Sequence, residues 1–227
     1  MTELAIEIRE PLDLPMVQGF VGEEAADGLD DALEKLPNGA TVFAWLDDLR
    51  IEGDISSKEL LARCPGFVAP TGEQPWDNYF TIFVRGNVEI TGVLEVNQYY
   101  DVYVRGNVRA RSILSHTGNL LATGSVTADE VMAFECNEEG GLLHGASCDV
   151  PVLCHFGGGD WVVDNQNGKT IHGEVWDDPD FVALLEVLKG LGVGSTPRDA
   201  FRGVRELVRS GRINELLRAL GVASRQT

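Results

Sequence analysis

A five-residue unit recurs through the middle of the chain and dictates what it can fold into. Val84-Arg85-Gly86-Asn87-Val88 is followed by Val104-Arg105-Gly106-Asn107-Val108 and by Ala122-Thr123-Gly124-Ser125-Val126. Ile51-Glu52-Gly53-Asp54-Ile55 aligns before them, and Leu143-His144-Gly145-Ala146-Ser147 aligns after them. Beyond each glycine stands an apolar pair: Leu60-Leu61, Val93-Leu94, Ile113-Leu114, Val131-Met132 and Val152-Leu153. A period of about 20 residues with strand-like patterning predicts a β-solenoid, each repeat forming one coil.

Period-two alternation assigns the faces. Residues two before and two after each glycine point inward, so Val88, Val108 and Val126 should lie above one another. Glu52, Arg85, Arg105, Thr123 and His144 point outward. The glycine suits a corner, where a close chain approach excludes a side chain. Asn87, Asn107 and Asp54 follow it and tolerate turns. Ile171-His172-Gly173-Glu174-Val175 reads as a sixth, incomplete coil, led by Trp161-Val162-Val163 and a turn at Asn165-Gln166-Asn167-Gly168.

The flanks change period. Leu4-Ala5-Ile6-Glu7-Ile8 alternates like a short strand. Residues Val17–Leu36 carry apolar side chains at helical spacing, with Glu23, Glu24, Asp27, Asp30, Asp31 and Glu34 on the other face. Asp178-Pro179 is a helix start, and Phe181, Leu184, Leu185 and Leu188 form a stripe. A second helix follows Thr196-Pro197 and a third covers Ile213–Leu220. The expected architecture is mainly β: a single-stranded β-helix of five to six coils at 41–176. An acidic N-terminal helix at 1–40 and C-terminal helices at 177–227 would cap it. Bare coil ends expose unpaired backbone, so the helices are expected to act as lids.

The V-x-G-N-V coils resemble those of bactofilins, bacterial cytoskeletal polymers, over about Ile51–Phe156. The resemblance implies a right-handed coil and assembly through coil ends. The helical C-terminal block and the acidic N-terminal helix depart from that family's pattern and oppose polymerisation. In overall character the chain is also similar to immunity proteins of bacterial toxin systems.

Charge narrows the function. The chain carries 36 Asp and Glu against 18 Lys and Arg, a net of −18. Such an excess argues against non-specific DNA binding and against anionic membrane surfaces. No stretch approaches the roughly 20 apolar residues of a spanning helix. The acidic opening Met1–Arg9 is unlike a signal peptide, and the spacing of Cys64, Cys136, Cys148 and Cys154 fits neither a disulfide scaffold nor a CxxC pair, so a cytoplasmic location is expected.

Candidate chemistry is sparse. Cys136, His144, Cys148, Cys154 and His155 are possible zinc ligands, but their coil phases do not converge, and no metal or other cofactor is expected. His116 and His155 are expected to share one column. No P-loop, nucleophile elbow or HExxH is present, and no catalytic residue is assigned. What remains is a binding surface: Glu23, Glu24, Asp27, Asp30, Asp31, Glu34, Asp47 and Asp48 as an acidic field. Trp76, Tyr79, Tyr99 and Tyr100 would be its aromatic anchors. The expected function is non-catalytic binding of a basic protein, as in an immunity protein that neutralises a basic toxin such as a nuclease. The expected state is a monomer or dimer; the alternative is a bactofilin-like scaffold.

Overall fold

A computed structural model describes residues 5–8, 41–45, 47–63, 80–136, 143–157, 161–163, 165–173, 177–194 and 196–223. The chain opens with β1 (Ala5–Ile8) and winds into coils. The first comprises β2 (Thr41–Trp45), β3 (Leu49–Ile51) and β4 (Ile55–Ser56). The next two are β5 (Phe80–Val84) with β6 (Val88–Asn97), and β7 (Tyr100–Val104) with β8 (Val108–His116). Then come β9 (Leu120–Ala122), β10 (Ser125–Ala128) and β11 (Val131–Glu135), followed by β12 (Leu143–Gly145) and β13 (Ser147–Phe156). The last turn is β14 (Trp161–Val163) and β15 (Gln166–His172).

Among the described residues, the strands of neighbouring coils pair in parallel, and β1 adds antiparallel along the outer edge of β2. The result is the β-solenoid that the repeat predicts. Each turn crosses three faces, because β6 and β8 bend between the second and third, with a register shift between Ile90 and Val93. About four coils have a neighbour on both sides, slightly fewer than the expected five to six. The outer two are reduced: the third face of the first is only Ile55–Ser56 before a helix begins.

The interior is built from columns. Leu49, Val88, Val108, Val126 and Cys148 are paired in sequence on the second face, and Ile55, Leu94, Ile113, Met132 and Leu153 on the third. All are buried in one cluster, and burying each such side chain contributes about 1.5–3 kcal/mol. The superposition of Val88, Val108 and Val126 is as the sequence predicts. In the last coil the same two columns continue as Gln166 and Thr170, and the Gln166 amide donates to the Thr170 hydroxyl. The dry interior therefore closes on a polar pair.

Gly86, Gly106 and Gly124 share one corner. A Cβ on Gly106 would sit 2.7 Å from the Gly86 carbonyl oxygen, and one on Gly124 would sit 2.8 Å from that of Gly106. Beside them runs a side-chain ladder. Asp48 Oδ1 accepts from the Asn87 backbone N–H and amide, Asn87 Oδ1 accepts likewise from Asn107, and Asn107 Oδ1 accepts from the Ser125 N–H and hydroxyl.

Three of the expected repeats fall out of phase. Ile51 pairs with Ile90 and Ile55 with Leu94, which puts Gly53 at the next corner, beside Gly92. Ser125 pairs with Ser147, so Ala146 and not Gly145 follows Gly124 at the corner. Similarly, Ile113 pairs with both Leu94 and Met132, leaving the Ile113-Leu114 pair one residue off. Gly173 lies past the third face, its N–H donating to His155, rather than at the glycine corner. The expected turn at Asn165–Gly168 runs into β15, where Gly168 sits against Val150 at a register shift.

Four α-helices complete the described residues. In α1 (Ser57–Ala62), Ser56 and Glu59 form a reciprocal capping box, so Leu60-Leu61 is helical and not a strand step. Then come α2 (Pro179–Gly190), capped by Asp178 as expected, α3 (Ala200–Arg209) and α4 (Ile213–Ala219). Among the described residues, the C-terminal helices pack along the rod's flank. Outward residues Leu114, Ala133, Cys154 and Ile171 form an apolar strip down the third face, and Phe181, Leu184, Phe201, Val204 and Leu207 pack on it. A strip of outward apolar side chains must be covered along its length, which places the cover on the flank. The predicted helix at Val17–Leu36 lies outside the described residues.

Candidate functional site

The outward strip has a charged head. Glu95 pairs with Leu114 at the strip's first position and is only 5 % exposed. The apolar stripe of α3 lies on Leu114, Ala133 and Cys154, so its polar edge, one helical turn from residue 205 to 209, meets Glu95. Arg205 donates to Glu95 Oε1 and Arg209 to Glu95 Oε2 at 2.5 Å. Asn97 donates its amide to Glu95 Oε1 at 3.3 Å. Two cations and an amide thus satisfy a carboxylate that burial alone would penalise.

A cleft of about 670 Å³ opens here, between α1, the corner after β6 and α3. Asp54, Lys58 and Glu59 line one wall, Arg205 and Arg209 the other, with Glu95 and Asn97 between them. The carboxylates are engaged: Asp54 Oδ1 accepts from the Val93 N–H and faces Arg111 at 3.4 Å, and Glu59 is held in the capping box. Those hydrogen bonds with Ser56 hold the Glu59 carboxyl below the usual range. His116 also lines the cleft, 3.1 Å from Glu135, its ring 5.9 Å from that of Phe201.

Tyr99 and Tyr100, expected as exposed anchors, are half-buried and line this cleft. Tyr100 stacks on Phe80 at 5.6 Å, and burial raises its phenol pKa. Tyr99 holds a positive φ of 66° in the tight turn, a conformation that costs about 1–3 kcal/mol in a non-glycine residue. Asp47 and Asp48 are both exposed, as expected, but the Asp48 carboxylate starts the asparagine ladder. Glu23, Glu24, Asp27, Asp30, Asp31, Glu34, Trp76 and Tyr79 lie outside the described residues.

The cysteine–histidine set separates. Cys148 is inside the coil against Met132, whereas Cys154 faces the helices on the flank. Burial pushes both thiols up to about 12, with Asp149 adding to the shift at Cys148. Cys136 and His155 do meet, Sγ to Nε2 at 3.3 Å, because the Cys136 N–H donates to the Phe156 carbonyl in the adjoining coil. His116 pairs with Glu135 and His155 with Phe134, so the two histidines occupy adjacent columns and not one.

A buried acid on the first face yields a stability prediction. Burial pushes the Asp101 carboxyl from 3.8 up to about 6, against the opposing pull of the Asn119 N–H and amide. A folded-state pKa above the unfolded one gives stability that is full below about pH 4 and lost as pH rises through about 6. Two pKa units correspond to at most about 3 kcal/mol. Asp101→Asn removes the titration, and a flip of Asn119 restores a donor–acceptor match. Relative to this variant, the wild type should lose stability steadily between pH 4 and 7; melting curves of both proteins across that range check it.

Lys58, Glu95, Asn97, Arg205 and Arg209 were not singled out by the sequence. Glu95 gave one signal, a charge inside the apolar run Val93-Leu94-Glu95-Val96. No family model, no curated protein and no solved structure matches the chain. Among the described residues, no helix is long and apolar enough to cross a membrane.

Proposed function

We propose that the protein works by binding a basic protein, in the manner of an immunity protein that masks the cationic cleft of a toxin. The supporting observation is how the chain spends its charges. Arg50, Arg109, Arg111, Lys169, Arg202, Arg205, Arg209 and Arg212 each face one of the chain's own carboxylates. With 36 acidic residues against 18 basic ones, internal pairing leaves a surplus of negative charge for a partner. Such a surplus steers association with a cationic surface. A compact monomer or dimer fits this role, and the polar Gln166–Thr170 closure supports it over a stacking polymer.

Affinity capture from the native host, followed by calorimetry with the purified captured protein, tests the reading. A basic partner is expected, with affinity that falls as salt rises. Capture of no basic protein, or binding indifferent to salt, defeats it. Filaments in electron micrographs would favour the bactofilin-like scaffold instead.

A further inference from the structure

The cleft beside Glu95 has unused hydrogen-bonding capacity of a specific kind. Among the described residues, Arg205 Nε is a buried donor with no partner, and Asn97 Oδ1 is a buried acceptor with none. The two groups are close neighbours, because the Asn97 amide and the Arg205 guanidinium both donate to Glu95 Oε1. An unpaired buried polar atom is costly, so one such atom on each of two adjoining side chains in one cleft marks a place for a ligand. The exposed Lys58 ammonium across the cleft has no carboxylate within ion-pair distance among the described residues, and Arg209 spends only one nitrogen on Glu95. The three carboxylates of the lining are already engaged, as described above.

We propose that this cleft binds a small hydroxylated carboxylate of the sugar-acid class. Its carboxylate accepts from Arg205 Nε, from the Lys58 ammonium and from an Arg209 nitrogen that Glu95 does not use. A neighbouring hydroxyl donates to Asn97 Oδ1. A volume of about 670 Å³ falls within the range of small-molecule sites. Half-buried Tyr99 and Tyr100 offer ring surface to the carbon skeleton. Binding here is independent of the basic partner proposed above, since it uses cationic donors and not the acidic surplus.

The test is titration of the isotope-labelled full chain with sodium D-glucuronate, followed by amide and side-chain NMR shifts. D-glucose and propionate serve as controls lacking the carboxylate and the hydroxyls respectively. Saturable shifts are expected at Lys58, Asn97 and Arg205. Lys58→Gln, at an exposed position, should weaken binding about tenfold, the loss of one charge-assisted hydrogen bond. Asn97→Ser should weaken glucuronate but leave any propionate response unchanged, with circular dichroism confirming that both variants fold. The proposal is overturned if glucuronate gives no saturable shifts in the tens of millimolar, or gives them away from the cleft. It is equally overturned if glucose or propionate binds as well as glucuronate, or if Lys58→Gln binds as the wild type does.

Discussion

Phe181→Ala should lower the free energy of unfolding by about 3–5 kcal/mol, the range for emptying a fully buried aromatic site. Phe181 is 0 % exposed and lies with its ring 6.3 Å from that of Phe156, between α2 and the third face. Leu184 and Leu188 hang on the same helix, so loosening Phe181 also loosens the cover over Cys154 and Ile171. Urea titration measures the loss, and hydrogen exchange should show α2 and α3 opening before the coils do. The neighbouring Val182 is 41 % exposed. Val182→Ala should stay within about 0.5 kcal/mol and serves as the control. Equal effects at the two positions would mean that the helices do not depend on the strip.

Gly106→Ala is the second large effect, and it acts through the backbone. The new Cβ would lie 2.7 Å from the Gly86 carbonyl oxygen and 2.9 Å from Asn87 Oδ1. Neither can retreat easily, because Asn87 and Asn107 are locked in the ladder and the coils above and below fix the stacking distance. Overpacking of this sort costs about 1–3 kcal/mol. For a chain of this size each kilocalorie lowers the melting temperature by about 2–4 °C. Gly190→Ala is the contrast, since nothing lies within 4 Å of its Cβ and it closes a helix. That change should be neutral or stabilising by up to about 1 kcal/mol. A Gly106→Ala protein that melts with the wild type would refute the tight corner.

The interior was legible because its signal is one-dimensional. Val88, Val108 and Val126 repeat at nearly constant spacing, and spacing alone superposes them. Phase was harder. Each coil has more than one corner that accepts glycine, so Gly53 aligns with Gly86 in sequence although it belongs beside Gly92. The α1 helix carried a readable start in Ser56-Ser57-Lys58-Glu59, but the apolar Leu60-Leu61 pair imitates the strand steps of later coils. The flank position of the C-terminal helices required knowing that Leu114, Ala133 and Cys154 face outward. A phase error of one residue reverses that assignment. The cleft was out of reach, since Lys58, Asn97 and Arg205 meet only when the first two coils and a distant helix are in place.

The order in which the flank is made has a consequence during synthesis. The strip is complete once residues up to Ile171 have left the ribosome, while its cover begins only at Pro179. Each nascent copy therefore passes through an interval in which finished coils present a bare greasy stripe to the surroundings, a state prone to wrong association. Chaperone demand during translation should consequently rise when rare codons late in the message delay the emergence of the helices, even though the completed protein is unchanged.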